Sequence, residues 1–359
     1  MTIHQATIRY EKWLAATIAV LRPDLDRKHQ AMAEDPFRFL RATFYRWAPQ
    51  FITLCPELAT APELLAVGDL HLANYGTWRD AEGRLVWGIN DFDEAYRIPY
   101  TSDLVRLATS ARIAIKTDHL AISPPTAVSE LLDGYVAGIK SRGSPFVLSE
   151  RNKWLRDTVT GKMREPKHFW DKLNAFPEVL RVPTRVREIF KAVLPAESKN
   201  LKIVHRSAGL GSLGRERYTA IVDYCGGKIA REVKAVLPSA WAWSTGRETE
   251  TAIHYGALLK QSIRSADPFI ALHPGWVVRR LSPYCSRIEL QQLPAKWDAK
   301  KLLNAMGIEL ANVHAGDRKA APRIERDLTK QPDQWLHKSS QVMADAILTD
   351  WNDWRRGTR

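Results

Sequence analysis

The spacing of apolar residues divides the first part of the chain into helical segments and one hairpin. Residues 5–50 carry apolar side chains three and four positions apart, which predicts helices. Residues 77–89 instead place two short apolar runs on either side of a turn at 80–83, which predicts a β-hairpin. Helical spacing resumes at 102–115 and again at 125–140. The hairpin is therefore framed by helices.

The second part of the chain changes character twice. Residues 141–200 are basic, weakly periodic and punctuated by proline, and we interpret them as helices and loops. In residues 201–236, two runs of β-branched and aromatic residues flank a Gly-Gly turn, which predicts antiparallel strands. A further strand is predicted at Trp276–Leu281. A helix follows, with Asp298 as its N-cap and Gly316 as its end.

Composition restricts the classes of protein to consider. With 359 residues, 45% hydrophobic and 26% charged, the chain can bury a large core. A net charge of +13 favours anionic partners such as nucleotides or nucleic acid. Three scattered cysteines favour a reducing compartment over a disulfide framework or zinc site. No apolar run reaches the roughly 20 residues that cross a bilayer, so we expect a cytoplasmic protein without a membrane partner.

The most specific stretch of the sequence is Gly68-Asp69-Leu70-His71-Leu72-Ala73-Asn74. Phosphoryl-transfer loops place an Asp five positions before an Asn, so that the carboxylate orients or deprotonates an acceptor hydroxyl while the amide oxygen binds Mg²⁺. Asp91 and Asp93 follow the second strand of the hairpin. We therefore predict Asp69 as the catalytic residue, Asn74 and Asp91 as Mg²⁺ ligands, and Asp93 as a ligand to a second ion.

Two other interpretations of these acids remain open. Asp and Asn also favour ordinary turns, which need no chemistry. A Gly-Asp-x-His sequence also begins the two-metal site of metallophosphoesterases, which requires further His and Asn ligands downstream. The downstream histidines stand isolated in the sequence; they are His205, His254, His273 and His314.

A glycine-rich segment follows more than a hundred residues later. Gly209, Gly211 and Gly214 match G-x-G-x-x-G, which occurs both in dinucleotide-binding folds and in kinase hairpins that cover phosphates. The next residues, Tyr218 to Val222, are typical of a strand and lead to the Gly-Gly turn, which favours the kinase hairpin. We expect these glycines to let the backbone approach the phosphates of ATP.

Lys234 is predicted to neutralise the nucleotide phosphates. It lies in the middle of the second strand after the glycine segment, where kinases carry such a lysine. An edge-strand surface lysine is the alternative. Glu250, in preference to Glu248, is the predicted carboxylate partner of Lys234. Arg206 and Ser212 are predicted to approach phosphate.

The chain resembles the bacterial family called domain of unknown function 2252. The resemblance rests on Gly68–Gly76, Asn90–Ala95 with Asp103-Leu104, Arg206–Tyr218, Lys234, Asp267-Pro268-Phe269 and Val278-Arg279. The catalytic and acidic loops are also similar to those of aminoglycoside and choline phosphotransferases, in which, however, the glycine loop and lysine come first.

Residues 307–315 resemble the helix that directly precedes the catalytic loop in those enzymes. The resemblance therefore implies an α+β, two-lobed, protein-kinase-like fold that is circularly permuted. Residues 1–199 would form a large helical lobe with the catalytic and metal loops. Residues 200–290 would form a small β-rich lobe that grips the nucleotide, and residues 291–359 would return to the large lobe.

The expected function is an ATP- and Mg²⁺-dependent phosphotransferase that acts on a hydroxyl of an unidentified acceptor. Transfer of AMP instead of phosphate is compatible with the same residues. A catalytically silent nucleotide-binding scaffold and a nucleic-acid-binding protein are the alternatives. The latter would use the basic run 151–167 and its neighbouring aromatic residues.

Overall fold

Helices and antiparallel strands form separate blocks of the chain. The computed structural model describes residues 1–148, 151–160, 165–283, 285 and 297–357. The α-helices in these ranges are α1 (Ile3–Thr17), α2 (Arg22–Glu34), α3 (Pro36–Ala42), α4 (Phe44–Leu54), α5 (Tyr100–Lys116), α6 (Pro124–Lys140), α7 (Lys153–Thr160), α8 (Pro166–Asn174), α9 (Thr184–Val193), α10 (Ala240–Ser244), α11 (Tyr255–Gln261), α12 (Ala299–Ala315), α13 (Ala321–Leu328) and α14 (Trp335–Gly357). The strands are β1 (Glu63–Ala66), β2 (Tyr75–Arg79), β3 (Leu85–Ile89), β4 (Tyr96–Pro99), β5 (Phe146–Val147), β6 (Lys199–His205), β7 (Arg217–Tyr224), β8 (Gly227–Ala235), β9 (Ala271–His273) and β10 (Trp276–Leu281).

The largest sheet has five antiparallel strands in the order β6-β7-β8-β10-β9. Successive side chains of a strand point to opposite faces, so Val233 and Lys234 of β8 face different surroundings. On the face of Val233, α9 packs with its buried residues Val186, Ile189 and Phe190. On the other face, α8 covers the end away from Lys234. Lys234 lies on the part of this face that α8 does not cover, and there it makes polar contacts.

The hairpin β2-β3 brings two polar segments together. Its register pairs Tyr75 with Ile89, and the backbone N–H of Asn90 donates to the carbonyl oxygen of Asn74 (3.0 Å). The predicted hairpin is confirmed. The residues that follow β3 therefore start beside the end of the Asp69–Asn74 loop.

The helical core surrounds α5, most of which is buried on every side. Helices α6 and α12 approach each other closely, because a side chain at Gly134 or Gly307 would meet backbone atoms of the facing helix about 2 Å away. At the C-terminus, α14 docks on α2 through the indole of Trp351, which donates to the carbonyl oxygen of Met32 (3.1 Å). A small sheet of β1 and β4 leads into the loop that carries Asp69.

Packing divides the chain differently from the predicted lobes. Helices α8 and α9 lie within residues 1–199, yet both pack on the five-stranded sheet. Helices α10 and α11 lie within residues 200–290, yet Trp241 and Leu258 belong to the helical core. Apolar faces are buried against whichever surface is near in space, which sequence order does not reveal. The predicted boundary between residues 290 and 291 lies outside the described residues.

The predicted helix between Asp298 and Gly316 is confirmed as α12. Gly316 follows it, but close packing and not a left-handed backbone requires the glycine. Asp298 caps α12 by accepting a hydrogen bond from the N–H of Lys301 (3.0 Å). Gly316 follows the helix with an ordinary right-handed φ of −60°. A side chain there would lie 2.1 Å from the carbonyl oxygen of Gln261, so close packing requires the glycine. Across the described ranges, no helix is both long enough and apolar enough to span a bilayer.

Candidate active site

Two segments joined by the β2-β3 hairpin and a third that is distant in sequence line one narrow cleft beside the helical core. They are the catalytic segment (residues 67–74), the acidic segment (residues 90–95) and the glycine segment (residues 209–214). The space between their side chains is about 50 Å³. The predicted residues that line the cleft are Asp69, Asn74, Asp91, Asp93, Gly209, Gly211 and Ser212.

Asp69 is held by a buried arginine. Arg106 of α5 donates from Nε to Asp69 Oδ1 (3.0 Å), and its Nη2 donates to the same oxygen. Arg106 is fully buried, and its guanidinium lies 5.0 Å and 4.9 Å from the rings of Phe44 and Trp47. Burial raises the pKa of Asp69, and Arg106 opposes that shift. The ion pair therefore fixes the direction of the carboxylate and keeps part of its acidity.

A second carboxylate fixes the backbone of the catalytic segment. Asp103 of α5 accepts hydrogen bonds from the N–H groups of Val67 (2.8 Å) and Gly68 (2.9 Å). His314 of α12 contacts the same carboxylate through Nε2 (3.2 Å), and Tyr135 contacts His314 Nδ1 (2.8 Å). This chain of buried hydrogen bonds joins the start of the catalytic segment to the end of α12.

Oxygen atoms of the acidic segment and of Asn74 fit a hard metal ion. The side-chain amide of Asn74 donates to the carbonyl oxygen of Asp69 (3.0 Å), which directs its Oδ1 away from that backbone. Asp93 Oδ1 is buried and accepts no hydrogen bond within the described residues. Among those residues, no group of three His, Cys, Asp or Glu side chains could hold a metal. An Mg²⁺ ion here would depend on two carboxylates, one amide and phosphate oxygens.

Lys234 contacts the acidic segment from the five-stranded sheet. Its Nζ lies 2.6 Å from Asp93 Oδ2 and 3.5 Å from Asp91 Oδ1. The lysine is 1% exposed on a central strand, paired with Arg217 of β7 and Val277 of β10. Burial lowers its pKa, while the two carboxylates favour the charged form. The alternative of a surface lysine on an edge strand is therefore wrong.

Close contacts require glycine at two positions of the glycine segment. A side chain at Gly211 would lie 2.9 Å from the carbonyl oxygen of Arg41 and 3.3 Å from Asp69 Oδ2. Gly214 has a φ of +94°, and a side chain there would lie 2.5 Å from Leu25. The segment is thus packed directly against Asp69 and α2.

The neighbouring part of the sheet carries a cluster of guanidinium groups around one carboxylate. Glu232 accepts from Arg217 (2.7 Å), Arg279 (3.2 Å) and Arg206 Nε (3.1 Å). Burial opposes its charge, yet the three arginines hold the pKa of Glu232 well below its usual range. Arg217 also donates to the hydroxyl of Ser212 (2.8 Å). Arg206 and Ser212, predicted to approach phosphate, are thus tied to this cluster.

Glu250 does not join Lys234. Its carboxylate is exposed and accepts a hydrogen bond from the hydroxyl of Tyr96. The lysine instead contacts Asp91 and Asp93, as given above. The predicted pairing needs correction because Glu250 lies on a turn that packs beside β4, whereas Lys234 points from the sheet to the acidic segment.

Several side chains of the cleft were not predicted from the sequence. Arg106 follows Asp103 by three residues, a spacing that places both on one face of α5, and this signal could have been used. Arg215 donates to Glu94 (2.9 Å) and to Tyr10 (3.2 Å), and both of its partners are remote in sequence. Lys28 enters the cleft from α2, and no local pattern distinguishes it from a surface lysine.

Comparison with known proteins identifies a family for one part of the chain. Residues 23–166 match the model of a family described as an uncharacterized protein conserved in bacteria, DUF2252. The matched segment contains Asp69, Asn74, Asp91 and Asp93. The glycine segment and Lys234 lie outside the match. No curated protein and no solved structure matches the chain. The similarity to phosphotransferases stays a prediction.

Proposed function

We propose that the protein is an ATP- and Mg²⁺-dependent phosphotransferase. The observation that carries this proposal is that three groups of predicted residues meet: the catalytic segment, the glycine segment, and the acidic segment with Lys234. The glycine segment lies against Asp69, and Lys234 lies 2.6 Å from Asp93, although about 140 residues separate the two groups in sequence. Kinases use such a set of residues to hold a triphosphate, a metal ion and an acceptor in line.

Each group has a definite part in the transfer. Asp69 orients the acceptor hydroxyl and accepts its proton as the oxygen attacks the γ-phosphorus of ATP. The bond between that phosphorus and the β-γ bridging oxygen breaks, and ADP leaves with the electron pair. Bound Mg²⁺ supplies positive charge at the phosphate oxygens, and Asn74, Asp91 and Asp93 would hold it. Lys234 exchanges the carboxylates for phosphate oxygens when the nucleotide enters.

We further propose that the fold is a circularly permuted protein-kinase-like fold. Support comes from Asp103, whose carboxylate contacts both His314 (3.2 Å) and the backbone of Gly68 (2.9 Å). The end of α12 therefore lies beside the start of the catalytic segment, an arrangement that the proposed permutation requires. The present termini also lie together, since the ring of His4 stacks on Trp354 at 4.8 Å.

The permutation can be tested by restoring the kinase order. A chain running from 199 to 359, joined by a short linker to residues 1–198, places the glycine segment before Asp69. We expect it to fold and to bind Mg-ATP with the affinity of the native order. A chain that folds but has lost nucleotide binding would contradict the proposed equivalence of the two orders.

Nucleotide binding is the first test of the function. Calorimetric titration with Mg-ATP should give binding to the wild type and a large loss for Lys234→Met, which keeps the aliphatic bulk and removes the charge. Lys228→Met is the matched control, because Lys228 lies on the same strand and is exposed, paired with Asp223 at 2.7 Å. Equal affinity in Lys234→Met and wild type would refute the role of this strand. Binding without turnover for any acceptor class would favour the silent scaffold.

The nucleic-acid alternative receives less support. Within the basic run, Lys153 is paired with Asp157 at 2.5 Å, so part of its charge is already compensated. Lys162 and Arg164 of the same run lie outside the described residues. A steep loss of affinity for single-stranded nucleic acid with rising salt would revive this alternative.

A further inference from the structure

A buried lysine enters the cleft from the N-terminal helices. Lys28 of α2 is 4% exposed, and its Nζ lies 3.5 Å from the carbonyl oxygen of Gly211. The ammonium group also lies 5.8 Å from the ring centres of Tyr10 and Tyr45. Among the described residues, no carboxylate is within ion-pair distance of Lys28. In the part of the chain that the structure describes, Lys28 thus has no direct ion pair, and the carboxylates of Glu11, Asp69 and Glu94 act on its charge only from a longer distance.

Such an arrangement is costly unless a ligand completes it. An ammonium group carries three donors, and a single carbonyl at 3.5 Å satisfies at most one of them. A buried charge without a partner opposes folding. Burial and the nearby Arg215 lower the pKa of Lys28 to about 8, although Glu11, Asp69 and Glu94 oppose the shift, so the group still carries its charge near neutral pH.

The position of Lys28 connects it with the acceptor side of the transfer. Lys28 contacts the glycine segment at Gly211, the residue whose Cβ position lies 3.3 Å from Asp69 Oδ2. Lys234, in contrast, contacts the acidic segment. Arg41 of α3 lines the cleft beside Asp69 as well. The side chains near Asp69 thus include two cations, Lys28 and Arg41, in addition to Arg106.

We propose that Lys28 is the anion-binding residue of the acceptor site, and that the acceptor is a small hydroxyl compound carrying a phosphate or carboxylate group. The proposal rests on the phosphotransferase function given above. The hydroxyl faces Asp69, and the anionic group binds the Lys28 ammonium with the Arg41 guanidinium nearby. The acceptor is small because four successive helices wall this part of the cleft, with Tyr10, Lys28, Arg41 and Tyr45 as their lining residues.

Inorganic phosphate provides a test that needs no nucleotide. Thermal unfolding of the wild type should shift to higher temperature as phosphate replaces chloride at constant ionic strength. Lys28→Met should lose this shift, and Lys28→Arg should keep part of it. Lys12→Met is the matched control, because Lys12 is an exposed lysine of α1, and it should keep the full shift.

The unfolding temperature without phosphate tests whether Lys28 serves only the fold. Because Lys28→Met removes a buried charge that has no direct ion pair, the variant should unfold at the same or a higher temperature than the wild type in chloride buffer. A lower unfolding temperature would assign Lys28 a structural role and overturn the proposal. A phosphate shift lost in Lys234→Met but kept in Lys28→Met would also overturn it, since phosphate would then occupy the nucleotide site.

Two further measurements, with malonate and with Mg-ATP, identify the class of ligand and distinguish a failure of this proposal from a failure of the proposed function. Malonate in place of phosphate tests the carboxylate class, and the larger Lys28-dependent shift identifies the anion of the acceptor. If wild type shows no shift with either anion, the proposal is wrong whatever the result with ATP. If the Lys28-dependent shift exists but Mg-ATP does not bind, the assignment to an acceptor is wrong together with the proposed function.

Discussion

Two groups of carboxylates face the same cleft, and they are held by different kinds of cation. Asp69 is paired with Arg106, a guanidinium of the same helical core that is fully buried and fixed by Leu40 and two aromatic rings. Asp91 and Asp93 are instead approached by the ammonium of Lys234, which comes from the five-stranded sheet, at 3.5 Å and 2.6 Å, and the guanidinium of Arg215 lies farther from Asp93, at 3.9 Å. One pair lies within a rigid unit, and the other bridges two packed layers.

The difference fits two different tasks. A guanidinium that donates two hydrogen bonds to one oxygen sets the direction of a carboxylate, as an acceptor-orienting residue requires. A lysine holds its partners as a compact point charge, so Mg²⁺ and phosphate can take its place without rearrangement of the carboxylates. We therefore expect substitutions at the first pair to affect the chemical step and the fold, and those at the second to affect nucleotide and metal binding.

The largest effect is expected for Asp69→Asn. The amide keeps the size of the side chain but cannot accept the acceptor proton, and loss of a positioned base typically costs about 10²–10⁴-fold in rate. Turnover of ATP in the presence of an acceptor measures the loss, and calorimetry measures Mg-ATP affinity. We expect affinity to change little.

An exposed aspartate provides the control for this substitution. Asp133→Asn on α6 makes the same chemical change at a surface position and should leave turnover unaltered. If Asp69→Asn retained the turnover of the wild type, the base would have to be sought elsewhere in the cleft.

Arg106→Met should show that the first pair also supports the fold. Removal of one partner of a buried ion pair leaves an uncompensated charge and costs about 3–5 kcal/mol in the free energy of unfolding. Urea denaturation measures this loss. The control is Arg38→Met, because Arg38 forms an exposed pair with Glu34 on the surface, worth about 0–1 kcal/mol.

The same variant makes a pH-dependent prediction. Burial already raises the pKa of Asp69, and Arg106 opposes that shift. Without the guanidinium the pKa rises further, so the base becomes protonated at higher pH. The acid limb of the turnover profile should therefore move to higher pH in Arg106→Met. An unchanged acid limb would mean that Asp69 is not the group titrating in that limb.

Asp91→Asn tests the second group of carboxylates. The substitution removes a full negative charge that would offset Mg²⁺. Hydrogen bonds and contacts to charged groups are worth about 1.5–3 kcal/mol, which corresponds to about 10–150-fold in Mg-ATP affinity. Calorimetry at varied Mg²⁺ should show the loss, and Asp223→Asn, at the half-buried end of β7, should not. Equal Mg²⁺ dependence in all three proteins would exclude Asp91 as a ligand.

Local patterns predicted the parts of the molecule that depend on local physics. The hairpin around residues 80–83, the strand Trp276–Leu281 and the cap at Asp298 follow from turn preferences, strand propensity and helix capping. Asp69, Asn74, Asp91 and Asp93 were predicted because they occur in two short segments joined by one hairpin.

The unpredicted parts of the site depend on contacts between distant segments. Lys28 meets Gly211 and Arg215 meets Glu94 because tertiary packing brings α2 and the acidic segment to the glycine segment. No periodicity encodes those approaches. The partner of Lys234 was predicted from the usual kinase order, in which a helix after the lysine supplies a glutamate. Here the acidic segment contacts the lysine instead.

The smallest effect is expected for Glu250→Gln, which sharpens the comparison between the two carboxylate groups. Glu250 is exposed, and a glutamine oxygen can still accept the hydrogen bond from Tyr96. Surface substitutions of this kind change free energies by about 0.5 kcal/mol or less, which is about twofold in affinity. Asp93→Asn is the counterpart, because Asp93 contacts Lys234 directly. We expect calorimetry to show weaker Mg-ATP binding for Asp93→Asn and nearly unchanged binding for Glu250→Gln. Weaker binding for Glu250→Gln and unchanged binding for Asp93→Asn would mean that Lys234 changes partners when the nucleotide binds. Glu250 would then become its counterion once the acidic segment binds the metal.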